Sequence, residues 1–186
     1  MNSTHNSLTD YKKYIGSIIM LTFGVISYFR WSTSGELFFL LLALRDVIAS
    51  FFLARREKSQ ANGKIIISII AYISSGLPLF YLSAPYGVQT KMLSLTADLF
   101  SIVGFLIVTM ATIDLGTKLG VSPAKRGNKC VKGLYRFLKH PMYLGYTIAQ
   151  IGWVLLNNAN IMIYVASLAL FYLRAKAENK ILDEVA

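Results

Sequence analysis

Long apolar segments with very few charged residues dominate this sequence, and they constrain its fold more than any other feature. Six such segments are separated by polar loops: residues 14–31, 37–53, 65–82, 92–113, 141–156 and 161–173. A membrane-spanning helix needs about 20 residues to cross a hydrocarbon core of about 30 Å. Hydrophobic residues make up 55% of the chain, against about 45–50% in a soluble domain. The sequence therefore predicts an all-α, polytopic membrane protein with about six transmembrane segments.

The last two segments are the shortest. At about 1.5 Å per residue, each covers only about 20–25 Å. The run Asn157-Asn158-Ala159-Asn160 joins them and is short enough to require a tight turn. We therefore expect a short helical hairpin whose helices continue beyond the membrane surface. This pattern divides the chain into a four-span region, 1–113, and a second region, 114–186, made of a loop, the hairpin and a C-terminal helix.

The basic residues predict the orientation, because cytoplasmic loops are enriched in lysine and arginine. With the N-terminus inside, 16 of the 19 basic residues fall on the cytoplasmic side, and Arg30 and Lys91 alone lie outside. The remaining one, Arg45, is within a span. Both termini are therefore expected in the cytoplasm, and the polar run 1–13 is expected to be retained and not cleaved. The net charge of +10 fits anionic lipid headgroups better than nucleic acid, because the cations lie in loops between spans.

Three ionisable residues, Arg45, Asp46 and Asp98, lie within the predicted spans. A charge in the bilayer is costly and usually faces the bundle interior with a partner. Adjacent side chains on a helix point about 100° apart. We therefore expect Arg45 to pair with Asp98 and not with Asp46, either as a structural contact or as a polar wall for a substrate headgroup.

The third basic loop ends in His140-Pro141, where a membrane segment begins. Proline suits the first turn of a helix, and the N–H groups of that turn can hold an anion. Tyr143 follows three residues after His140, and Gly145 allows a close approach to the backbone. These residues are equally typical of an interfacial belt.

In the last segment Arg174 and Glu178 share a helix face. They form either a solvated ion pair or a site in which the arginine holds the carboxylate toward a ligand.

The remaining sequence features do not indicate a function. Cys130, the one cysteine, is either an incidental thiol or a reactive one favoured by Lys129 and Lys132. Phosphate-binding loops, nucleophile elbows and clusters of metal ligands are missing, so no metal is implied. Without paired halves, the sequence also lacks a signature of transporters.

The string Gly133-Leu134-Tyr135-Arg136, followed by His140-Pro141-Met142-Tyr143-Leu144-Gly145 and later by Arg174 and Glu178, resembles the isoprenylcysteine carboxyl methyltransferase superfamily. That superfamily includes phospholipid N-methyltransferases and bacterial membrane methyltransferases. The resemblance covers about residues 110–184. Two positions depart from the family pattern: Lys139 replaces an arginine, and Asn179 replaces the second acid of Arg-x-x-x-Glu-Glu.

The resemblance implies a cytoplasmic S-adenosylmethionine site between the loop, the hairpin and the C-terminal helix. It assigns catalytic roles to His140, Arg174 and Glu178. The cofactor-binding set that it implies is Tyr135, His140, Pro141, Tyr143, Leu144, Gly145 and Glu178.

The function that follows from the resemblance is methyl transfer to a lipidic or lipid-tethered acceptor in a membrane, in bacteria the inner membrane. Carboxyl O-methylation of an isoprenylcysteine-like acceptor is favoured. Phospholipid N-methylation is the alternative, and a non-enzymatic scaffold or transporter is a second one. The sequence does not indicate the oligomeric state.

Overall fold

The computed structural model describes residues 11–85 and 90–183. Each predicted apolar segment forms one α-helix, which confirms the all-α fold. The helices of this described part are α1 (Tyr11–Ser34), α2 (Leu37–Ala54), α3 (Ile65–Gly76), α4 (Lys91–Leu115), α5 (Pro141–Leu156) and α6 (Ile161–Asp183). A 3-10 turn extends α3 to Phe80. Most of the polar N-terminal run that was expected to be retained lies outside the described residues.

Four helical stretches of the described chain are long and apolar enough to cross a membrane: Lys13–Ser34, Leu37–Ala54, Lys91–Lys118 and Asn158–Leu182. The helix α3 with its turn is shorter, and the 16 residues of α5 extend only about 24 Å. The count of six crossings therefore stays a prediction. The second arm of the hairpin continues to Asp183, well past its apolar part, as expected. The first arm begins at Pro141 and does not extend beyond its apolar segment, because proline starts the helix there.

Two loops meet at one end of the bundle. Strand β1 (Ala61–Asn62) pairs antiparallel with strand β2 (Ala124–Lys125). Beside this ladder the Gly63 amide donates to the Pro123 carbonyl at 3.0 Å. Loops 55–64 and 116–140 therefore lie on the same side, as the charge pattern predicted. That this side faces the cytoplasm stays a prediction.

At the opposite end of the helix bundle, amide and carboxylate side chains join the loops by hydrogen bonds. Asn160 is fully buried, accepts from the Leu82 amide at 2.8 Å and donates to the Leu82 carbonyl at 3.0 Å. Glu36 accepts from the Ser83 hydroxyl at 2.8 Å. The two Asn160 bonds satisfy the backbone groups of Leu82, and they join the turn between α5 and α6 to the segment that follows α3.

Small residues bring α4 and α5 into backbone contact. A Cβ at Gly104 would lie 2.7 Å from the Ala149 Cα, and one at Gly145 would lie 2.7 Å from the Gly104 carbonyl oxygen. Close approach through small residues is how membrane helices gain packing energy, since lipid tails are as apolar as leucine. This interface fixes the start of α5 relative to the loop that follows α4.

The expected pairing of Arg45 with Asp98 is wrong. Arg45 Nη1 lies 2.7 Å from Asp46 Oδ1, and both side chains are almost completely buried. The Arg45 guanidinium also lies 4.9 Å from the centre of the Tyr146 ring. The rule on neighbouring positions describes where the Cβ atoms point, but the long arginine side chain reaches back across that angle. Asp98 instead lines a separate cavity of about 260 Å³ together with Glu36.

Candidate functional site

A cavity of about 430 Å³ lies at the end of the bundle where the two loops meet. Its walls are the loop 115–140, the first turn of α5 and the last turns of α6. Of the residues predicted for the site, five line it: Tyr135, His140, Tyr143, Arg174 and Glu178. Its volume lies within the range of about 300–1,000 Å³ that is typical of small-molecule sites.

The turn that carries Tyr135 is held by a carboxylate at the end of α4. Gly133 has a φ of +49°, which glycine adopts readily, and a Cβ there would overlap the Asp114 carboxylate. Asp114 Oδ2 accepts from the Leu134 amide at 2.9 Å. Sequence reasoning missed Asp114, although an acid just before a Gly-containing turn was a usable signal.

Glu178 is the centre of a hydrogen-bonded group on the cavity wall. The Tyr143 hydroxyl donates to its Oε1 at 2.5 Å, and His140 Nδ1 lies 3.4 Å from its Oε2. His140 Nε2 in turn lies 3.1 Å from Asn179 Oδ1. The Glu178 side chain remains 26% exposed and lines the cavity, so the carboxylate is fixed in direction but still reachable. We call His140, Tyr143 and Glu178 the carboxylate clamp.

Arg174 does not hold Glu178, contrary to one interpretation of their spacing. Its Nη1 donates to the Ser74 hydroxyl at 2.7 Å, and its Nη2 donates to the Val121 carbonyl at 2.8 Å. The guanidinium lies 5.2 Å from the centre of the Tyr143 ring. Because its side chain turns toward α3, it supports the ring of the carboxylate clamp and not the carboxylate. Ser74 lies 100 positions away in sequence, and no pattern indicated it.

The buried guanidinium of Arg174 retains one unused donor. The residue is 6% exposed, and its Nε has no hydrogen-bond partner among the described residues. A buried unpaired donor is costly, and this side chain contributes to the cavity wall. Because the Nε atom itself is inaccessible, it is not presented to a ligand in the cavity as the side chains stand.

Tyr135 lies on the wall formed by the loop. Burial raises the pKa of its hydroxyl, and the nearby Glu178 carboxylate raises it further. An ordinary tyrosine already titrates near pH 10. The Tyr135 hydroxyl therefore stays protonated across the physiological range and can act as a hydrogen-bond donor, but not as a base.

The structure places three predicted cofactor contacts away from the cavity wall. Pro141 is buried at the first position of α5, as expected for proline there. Leu144 is 41% exposed on the outer surface, and Gly145 packs against α4. What approaches the backbone at Gly145 is thus a neighbouring helix. A cofactor contact for these three stays a prediction without geometric support.

The cavity wall is strongly basic. Glu178 is the one acid among the described residues that line it. The basic side chains that line it are Lys118, Arg126, Lys129, Arg136, Lys139 and Arg174. Such a wall favours ligands that carry a carboxylate or a phosphate.

Fold and site together define a polytopic α-helical membrane protein with a ligand-sized, basic cavity at one end of its helix bundle. The model of the isoprenylcysteine carboxyl methyltransferase (ICMT) family matches residues 96–184. This match lies in the C-terminal part of the chain; it confirms the resemblance to that family and supports a membrane methyltransferase. Comparison with the curated proteins and with the solved structures found no match.

Proposed function

We propose that this protein transfers a methyl group from S-adenosylmethionine to a lipidic or lipid-tethered acceptor. The observation that carries the proposal is the carboxylate clamp. It presents a fixed, partly exposed Glu178 to a cavity that lies within the region matched by the methyltransferase family. Because the cofactor is made in the cytoplasm, we propose that this end of the bundle faces it and that both termini lie on that side, in bacteria at the inner membrane.

The residues fit the chemistry of the cofactor. S-adenosylmethionine carries two cationic groups, an ammonium and a sulfonium, and one carboxylate. A carboxylate such as Glu178 has about four acceptor sites; the Tyr143 hydroxyl occupies one, and His140 Nδ1 lies 3.4 Å from the other oxygen. Its remaining acceptor sites can accept from the ammonium, while the basic wall suits an anionic group. Bound in this cavity, the cofactor would supply an already activated methyl group.

The chain's own residues would act mainly by positioning, which is a large part of catalysis when the reagent is already activated. Arg174 supports the Tyr143 ring, and Tyr143 orients Glu178. His140 lies between Glu178 and Asn179, so its ring is restrained from both sides. A cofactor held by this group would present its methyl in one direction only.

The basic wall favours a carboxylate as the methyl acceptor. A carboxylate is ionised at neutral pH, is attracted to the wall, and needs no base before it attacks. This supports carboxyl O-methylation of the isoprenylcysteine type. An amine, as in phosphatidylethanolamine, is repelled by the same charges and must first lose a proton. His140 or Glu178 would have to accept that proton, so phospholipid N-methylation is our second candidate.

The first experiment asks whether the purified protein in detergent binds S-adenosylmethionine, measured by calorimetry. Transfer of labelled methyl from the cofactor is then followed into a prenylcysteine analogue and, separately, into phosphatidylethanolamine vesicles. We expect cofactor binding, with label entering the prenylcysteine analogue. Label in the phospholipid alone would favour the second candidate. A folded protein that binds no cofactor would favour the scaffold or transporter.

A further inference from the structure

Three apolar side chains between the cavity and α5 are exposed although they lie outside the apolar helices. Val131 is 67% exposed, Phe137 is 78% exposed and Leu138 is 37% exposed. On the helices, exposed apolar side chains are explained by lipid contact. In a loop that surrounds a basic cavity the same exposure needs another explanation, because a large aromatic ring gains free energy when it leaves water.

Cations surround these apolar side chains. Four exposed cations lie in this part of the loop: Lys129, Lys132, Arg136 and Lys139. The Arg136 guanidinium lies 5.7 Å from the centre of the Phe137 ring. Apolar side chains combined with lysine and arginine are typical of surfaces that lie in the interface of an anionic membrane. We call residues 131–139 together with Lys129 the interfacial segment.

The position of the interfacial segment agrees with this chemistry. It ends two residues before Pro141, where α5 enters the apolar region. Leu144, on the first turn of α5, is also exposed, so the helix that follows the segment presents an apolar side chain as well. Phe137 and Leu138 also line the cavity, so whatever covers them forms part of the boundary of the site.

We propose that the interfacial segment anchors the loop in an anionic leaflet, with Phe137 and Leu138 among the lipid chains and the four cations at the headgroup phosphates. The occupant is an anionic phospholipid surface, because its charge complements the segment and its chains continue the lipid that surrounds α5. The inference does not depend on the proposed reaction, since it requires neither a cofactor nor turnover.

Spin-label depth measurements in nanodiscs test the proposal. The background is Cys130→Ala, which removes the one cysteine, and the label is attached at Phe137→Cys. Lys58→Cys, exposed in the other loop at the same end of the bundle, is the matched control. In phosphatidylglycerol-containing discs we expect the label at 137 to lie about 5–10 Å into the boundary between headgroups and chains, and the label at 58 to remain in water.

Lipid charge is tested with the same labels. Phosphatidylcholine discs, or the pair Lys129→Gln and Lys132→Gln, should move the label at 137 toward water. The control pair Lys58→Gln and Lys64→Gln should leave it in place.

Three results would overturn the proposal. The first is a label at 137 that is as accessible to water as the one at 58 in anionic discs. The second is equal depth in both lipids, which would remove the anionic surface as the partner. The third is shielding only in discs that hold two copies, which would make the segment a contact between protomers. If Phe137→Cys does not fold, Val131→Cys provides the same readout.

Discussion

The hydroxyl of Tyr143 donates to Glu178 at 2.5 Å across the contact between α5 and α6. The bond joins the first turn of one helix to the last turns of the other, so it fixes both the carboxylate and the separation of the two walls of the cavity. Hydrogen bonds to ionised groups are among the stronger ones in proteins.

We predict that Tyr143→Phe and Glu178→Gln are coupled. Each change should weaken S-adenosylmethionine binding by roughly ten- to a hundredfold, the equivalent of about 1.5–3 kcal/mol for a charged hydrogen bond. The double variant should lose little more than Glu178→Gln alone, because Tyr143 acts on the cofactor through Glu178. Calorimetry on the three variants measures this. Glu36→Gln, at the opposite end of the bundle, is the control and should bind normally, and strictly additive losses would contradict the coupling.

His140→Ala should fold and enter the membrane but lose most cofactor binding or turnover. The side chain is only 21% exposed, so its removal costs some packing, and it also releases Glu178 and Asn179 from a shared neighbour. Methyl transfer into the prenylcysteine analogue is the readout, and thermal unfolding in detergent is the folding control. If the variant turned over like the parent, His140 would belong to an interfacial belt and not to the site.

Asp46→Ala should be strongly destabilising, by about 3–5 kcal/mol, because it leaves the buried Arg45 without its counter-charge. Asp98→Ala should cost much less, since Asp98 lies in another cavity and is only partly buried. Thermal unfolding of the two variants compares them directly. Equal losses would restore the pairing of Arg45 with Asp98 that the sequence had favoured.

Gly104→Ala should loosen the contact between α4 and α5. The added methyl meets the backbone of Ala149, which cannot move without shifting a helix, and overpacking of this kind costs about 1–3 kcal/mol. Gly16→Ala in α1 is the control, because there the methyl meets only the far end of the Tyr72 side chain. A larger loss of thermal stability for the control would contradict this account of the interface.

Helix positions could be predicted from the sequence because apolar length alone determines where a membrane helix forms. The number of crossings could not, because α3 and α5 are too short for length to decide. The sequence motif contained all three residues of the carboxylate clamp, but it did not indicate which residues hold the clamp in place. The Arg174 bond to Ser74 joins residues 100 positions apart, and local spacing carries no information on such contacts. The partner of Arg45 was missed because adjacent side chains were expected to point apart, whereas the long arginine side chain reaches the adjacent Asp46.

The bond between Arg174 and Ser74 also bears on how this protein can be recombined with its relatives. The family match begins at residue 96, whereas Ser74 lies in α3, upstream of it. Gly63, next to β1, packs against Ile181 of α6 in the same way. A graft of the matched half onto another N-terminal half would lose these supports. A chimera should therefore move the matched region together with α3 and the loop before it.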